Sequence, residues 1–139
     1  MDEIQDPKER GMQRLKDVFA ATGIGAGLIV LLENFNARGL ASKVGLPEKL
    51  ASSGNFLACN CLNMAGGFLS GFTGRNYAGG AFYFIGSIPN LIDAYNGEDF
   101  SLNMQSLAIK TGVLFGGWAL GRLTRKTYDY VKTIKASSR

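Results

Sequence analysis

The sequence predicts an all-α protein: a small multi-pass transmembrane helical bundle of three to four spans, with glycine-mediated helix packing. Three observations lead there. Charged residues crowd into 1–17, 33–49, 93–99 and 122–139, and the stretches between are nearly free of them. Glycine is the compositional outlier, 19 of 139 residues, and much of it lies inside apolar runs. A Gly costs a soluble helix about 1 kcal/mol relative to Ala, whereas in lipid it lets two helices approach closely. Finally, the basic residues sort by alternate loops. Bulk composition is less decisive, since 46% apolar residues and a mean hydropathy of +0.05 also suit soluble proteins. The length suits one domain, here a single membrane domain over 1–139.

The first segment opens with Asp6 as a candidate N-cap, Pro7 at the first helical position and Glu9 at the third. A helix then runs through a mixed-charge stretch into the uncharged run VFAATGIGAGLIVLL, residues 18–32. That run is only about 22 Å long, less than a ~30 Å hydrocarbon core. A span over 15–35 therefore needs Leu15, Lys16 and Phe35 to extend it by snorkelling and tilt, and an interfacial or re-entrant helix is the alternative. Acids alternate with bases over 1–17, unlike a transit peptide, so any organelle-targeting information is expected to be internal.

A polar connector follows, within which Leu46-Pro47-Glu48-Lys49-Leu50 reads as a short surface helix or turn. The second span, 54–74, is the strongest single signal, because residues 50–74 carry no charge. Arg75-Asn76 interrupts it. The third span, 77–94, is apolar and aromatic, with Pro89 expected to kink it or set its last turn, and Asn96-Gly97 closes it. The fourth, 102–123, holds one charge, Lys110, and leads into an amphipathic basic tail, 124–139.

If all four segments cross, the N-terminus, the Arg75 turn and the tail share one side with eleven Lys/Arg, against three on the other. That asymmetry follows the positive-inside rule and places both termini on the cytosol-like or matrix side. The isoelectric point near 9.2 would also suit a nucleic-acid binder. However, the basic tail follows directly on an apolar span and contains Tyr128 and Tyr130, so an anchor to anionic lipid accounts for it without nucleic acid.

Catalytic and metal chemistry find little support. The chain has no His, the commonest general base and metal ligand. Cys59 and Cys61 point to different helix faces and read as small buried residues rather than a disulfide or zinc pair. Gly66-Gly67 and Gly116-Gly117 lack the Lys-Ser/Thr of a phosphate loop. No enzyme, catalytic residue, metal or cofactor is expected, although a structural phospholipid such as cardiolipin would suit the basic ends. The expected helix-packing glycines are Gly23 and Gly27, Gly67 and Gly71, Gly112 and Gly116, and Gly117 and Gly121, each pair in small-xxx-small spacing. Arg75, Lys110, Arg122, Arg125 and Lys126 are the expected lipid or partner contacts. Lys110 has two readings: a pathway lysine, or a side chain snorkelling toward the loop with Glu98 and Asp99, about 12 Å away. The second is preferred. Asn60, Asn63, Ser70 and Thr73 form either a polar stripe or interhelical hydrogen bonds.

An internal echo is visible. GGFLSGFTGR (66–75) and GGWALGRLTR (116–125) share Gly-Gly-aromatic-x-x-Gly-x-x-x-Arg, the mark of a duplicated two-span unit. The stretch 82–126 resembles the preprotein translocase family of the mitochondrial inner membrane. The resemblance rests on Ile92-Asp93-Ala94-Tyr95 and on Gly112, Gly116, Gly117, Gly121 and Arg122. Residues 65–81, AGGFLSGFTGRNYAGGA, are similar to the family's accessory-subunit branch in respiratory complex I. The resemblance covers about half the chain and implies a mitochondrial inner-membrane location. Two departures stand out: the family's termini face the intermembrane space, and here an extra span precedes the matching region with none after it.

These readings converge on a non-catalytic accessory subunit of a large mitochondrial inner-membrane complex, of respiratory-chain or ATP-synthase type. Its expected partners are other membrane-protein subunits and anionic lipid. A component of a preprotein translocase is the alternative, and a small transporter or channel is the second.

Overall fold

The computed structural model describes residues 6–35, 39, 43–51 and 53–137. It is all-α. Five helices are present among these residues: α1 (Pro7–Asn34), α2 (Glu48–Ala51), α3 (Gly54–Thr73), α4 (Tyr77–Tyr95) and α5 (Phe100–Ser137). Arg38, which enters the charge count, and residues 1–5 of the charged N-terminus lie outside the described residues.

Local chemistry explains the boundaries. Asp6 caps α1 by accepting from the Lys8 amide at 3.0 Å, with Pro7 in the first turn. Ser53 caps α3 through the Phe56 amide at 3.3 Å, and Gly74 ends it at φ 76°, a left-handed position that favours Gly. Asn76 provides no side-chain cap for α4; instead Ser70 of α3 accepts from the Gly79 amide at 3.1 Å. An orphan donor of one helix is thus satisfied by its neighbour. Pro89 lies inside α4, which continues past it to Tyr95. Asp99 then caps α5 through the Leu102 amide at 3.3 Å.

Two expectations about the helices change. The first segment is not one of them: the charged stretch and the uncharged run form the one continuous helix expected, 28 residues and about 42 Å long. Among the described residues α1 is the helix long and apolar enough to cross a membrane. The second segment, expected to be the strongest signal, carries Asn55, Asn60 and Asn63, which lower its mean hydropathy despite its lack of charge. The basic tail is also not a separate element: α5 runs 38 residues without a break, about 57 Å.

α3 is the hub, touching α1, α4 and α5. Its contact with α5 is parallel: Gly67 faces the Leu114 and Trp118 backbone, and Gly71 faces Trp118 and Arg122. α1 lies antiparallel to α3, since Asp17 meets Arg75 at one end and Gly25 meets Leu62 further along. One end of the bundle therefore gathers the α1 N-terminal half, the α3–α4 turn and the basic half of α5. The other gathers α2 and the α4–α5 loop.

The interior is lined by small and polar side chains. Buried positions include Ala21, Gly25, Ala65 and Gly71, together with Asn63, Ser70, Asn90 and Lys110. The largest fully buried side chain is that of Asn63. Large apolar side chains point outward instead, among them Phe19, Phe84, Ile85 and Phe115, each more than 60% exposed.

Candidate functional site

Two constructions meet on α5. The first is the crossing with α3. A Cβ on Gly67 would run into the Leu114 carbonyl, one on Gly71 into the Trp118 carbonyl, and one on Gly121 into the Phe68 carbonyl. On Gly117 it would lie 2.5 Å from the Met64 oxygen. Backbone meets backbone here, which is what small-xxx-small spacing permits. The two halves of the internal echo are the two sides of this crossing.

The other four expected packing glycines are placed elsewhere. Gly23, Gly27, Gly112 and Gly116 have nothing within 4 Å of a built Cβ among the described residues, because their faces turn away from the other described helices. On α1 it is Gly25, between the expected pair, that meets Leu62. Spacing alone does not set which helix face turns inward.

The second construction is a polar vestibule enclosed by α2, α3, α4 and α5, at the end of the bundle with the α4–α5 loop. It has a volume of about 550 Å³. Lys110 forms its floor and is only 4% exposed. Its ammonium donates to the Gly86 carbonyl and to Asn90 Oδ1, both at 2.6 Å. Lys110 therefore does not snorkel to Glu98 and Asp99. Two acceptors on the facing helix satisfy it where it stands, so extension toward the loop has no advantage. Asn90 is in turn held loosely against Asn103, its amide nitrogen 3.4 Å from the Asn103 side-chain oxygen. Toward the α4–α5 loop it is lined by Asp93, Glu98 and Asp99, and Lys49 of α2 also lines it.

Asn63 adds a second unusual group. Gly67 meets Leu114 in the parallel crossing, so one turn earlier Asn63 lies level with Lys110. Asn63 is completely buried, yet its amide finds no hydrogen-bond partner at either end among the described residues. Asn60 and Thr73 bond back to their own helix at Phe56 and Leu69, so of the expected stripe only Ser70 reaches another helix.

The expected lipid or partner cations are mostly engaged within the chain. Arg75 grips Asp17 through two bonds of 2.7 and 2.8 Å, and Gln13 donates to the same carboxylate at 3.1 Å. The Asp17 hydrogen bond pushes the Arg75 guanidinium further above its already high range. Arg122 lies over the Trp118 ring at 4.9 Å, and Arg125 donates to the Phe72 carbonyl at the end of α3 at 3.3 Å. Lys126 is exposed. Cys59 and Cys61 are free thiols, and no group of three His, Cys, Asp or Glu among the described residues is placed to hold a metal.

Asp17 and Asn90 were not singled out in the sequence. Asp17 closes the charged N-terminal stretch immediately before an apolar run, a place where an acid needs a partner. Asn90 follows Pro89 and shares a helix face with Gly86, four residues before it. No protein-family model, curated protein or solved structure matches this chain.

Proposed function

We propose that the chain is a membrane-embedded, non-catalytic accessory subunit of a larger inner-membrane complex of mitochondria, of respiratory-chain or ATP-synthase type. The observation that carries the membrane reading is the inverted burial. Water would have to solvate Phe19, Val30, Phe84, Ile85, Leu91, Phe115 and Leu123 on the outer faces of the long helices, while Asn63, Asn90 and Lys110 lie inside. A soluble protein of this size rarely exposes contiguous apolar surface on that scale. Lipid reverses the preference, since apolar side chains face acyl chains and small or polar residues join the helices.

In this reading α1, α3, α4 and α5 all cross, and both termini lie on the matrix side. The Asp17–Arg75 pair and the contact of Tyr128 with Phe72 gather the basic segments at one end of the bundle. Membership of a complex is supported by glycine faces without a neighbour among the described residues: Gly23 and Gly27 on α1, and Gly112 and Gly116 on α5. They let helices of other subunits approach closely. The inner-membrane location rests on the translocase-like stretch 82–126.

The test is native electrophoresis of gently solubilised inner membranes, followed by identification of co-migrating chains. Respiratory or ATP-synthase subunits in fixed stoichiometry are expected. Migration at the mass of the free chain, or release of the chain by alkaline carbonate, would sink the reading.

A further inference from the structure

We infer that the vestibule above Lys110 binds a compact zwitterion, with a carboxylate or phosphate directed at Lys110 and an ammonium held at the acidic mouth. This goes beyond membership of a complex and does not depend on which complex it is.

The floor is a charge with spare capacity. An ammonium has three N–H donors, and two are given to Gly86 O and Asn90 Oδ1, leaving one for the cavity that Lys110 lines. Both acceptors are neutral. Among the described residues no carboxylate is within ion-pair distance of Lys110, the two pairs found being Asp17–Arg75 and Arg125–Asp129. A charge buried this deeply is costly unless it is compensated.

The mouth carries the opposite sign. Asp93, Glu98 and Asp99 line it with one basic residue besides Lys110, Lys49, and Asp99 keeps its bond to the Leu102 amide. A simple anion would pass three carboxylates before reaching Lys110. A simple cation would be held at the mouth and repelled by the floor. Only a molecule with both charges on a short linker is favoured at both ends, and the sequence of charges dictates its orientation. The neutral polar walls, Asn55, Asn103 and Ser106, offer hydrogen bonds to the remainder. The volume of about 550 Å³ lies within the usual range for small-ligand sites. Two sources share this chemistry: a free amino acid, and the headgroup of an ethanolamine phospholipid.

The full chain, purified in maltoside micelles, is titrated calorimetrically with glycine, phosphoethanolamine and short-chain dihexanoyl phosphatidylethanolamine. Acetate, inorganic phosphate and ethanolamine serve as single-charge probes. Saturable binding of at least one zwitterion is expected, without saturation by the single-charge probes. Binding of the lipid alone identifies a headgroup site; binding of glycine or phosphoethanolamine identifies a soluble ligand. Lys110→Met is expected to weaken binding about tenfold or more, the loss of one charge-assisted contact. Should Lys110→Met not fold, Asp93→Asn combined with Glu98→Gln decides, since it neutralises two acids lining the cavity, leaves the Asp99 cap of α5 in place and is expected to weaken zwitterion binding several-fold. The proposal is overturned if no zwitterion saturates, if acetate or ethanolamine binds equally well, or if the decisive folded variant binds as the parent does.

Discussion

The glycine crossing and the vestibule are built on one helix, α5, about three turns apart, and they solve its burial in opposite ways. At Gly117 and Gly121 side chains are removed, so the backbone of α5 lies directly on that of α3. At Ser106 and Lys110 side chains are retained, and the helices stand apart around a polar space. The first leaves no room for one added carbon; the second leaves about 550 Å³. The difference teaches that tight packing at one end of a helix pair can hold open a cavity at the other. α3 and α5 are clamped where Gly67 and Gly71 lie on the Leu114–Arg122 backbone and Gly117 and Gly121 on that of Met64–Phe72, and α4, bridging to Lys110 by hydrogen bonds, closes the far side.

The sharpest way to break this comparison is at the clamp. Gly71→Ala or Gly121→Ala places a methyl against a carbonyl oxygen that cannot retreat without moving a helix. Each is expected to destabilise the bundle by about 3 kcal/mol, the upper end of overpacking costs, read as a lowered thermal midpoint in detergent. The vestibule comes next. Lys110→Met leaves the Gly86 carbonyl and Asn90 amide without their donor, with an expected loss of ~2 kcal/mol by the same measurement. A third variant tests the shared end of the bundle. Arg75→Ala strands Asp17, which is only 5% exposed. Because Arg75 is itself 44% exposed and screened by solvent, the expected cost is only about 1–2 kcal/mol. The mildest variant sharpens the contrast within α5. Gly116→Ala enters open space and should leave the isolated chain unchanged or more stable by up to ~1 kcal/mol. Loss of co-migration with a large complex in that same variant would mark the face as a subunit contact.

Much of the scaffold was legible beforehand for local reasons. The Asp6 cap with Pro7, the short helix after Pro47 and the Asn96-Gly97 turn depend on residues adjacent in sequence. The site was less legible. Gly67, Gly71, Gly117 and Gly121 stood out by spacing, but Gly23, Gly27, Gly112 and Gly116 share that spacing and face away from the rest of the described chain. A repeat of four marks one face of a helix without saying what lies opposite. Lys110 was recognised as an isolated charge, yet its destination depended on Gly86 and Asn90, more than twenty and exactly twenty residues away respectively. Likewise the Asp17–Arg75 pair joins residues 58 apart, with no common motif to link them.

By itself, then, the sequence determined the helical class, the caps and turns, and the segregation of charge into alternate loops, because each arises from short-range sterics or from the preference of a residue for its medium. Only the tertiary structure decided which glycines touch, where Lys110 donates its hydrogen bonds and that α3 and α5 run parallel in register. Those outcomes turn on the rotation and offset of one helix against another. Many side chains acting together set these quantities, and no single residue spacing encodes them.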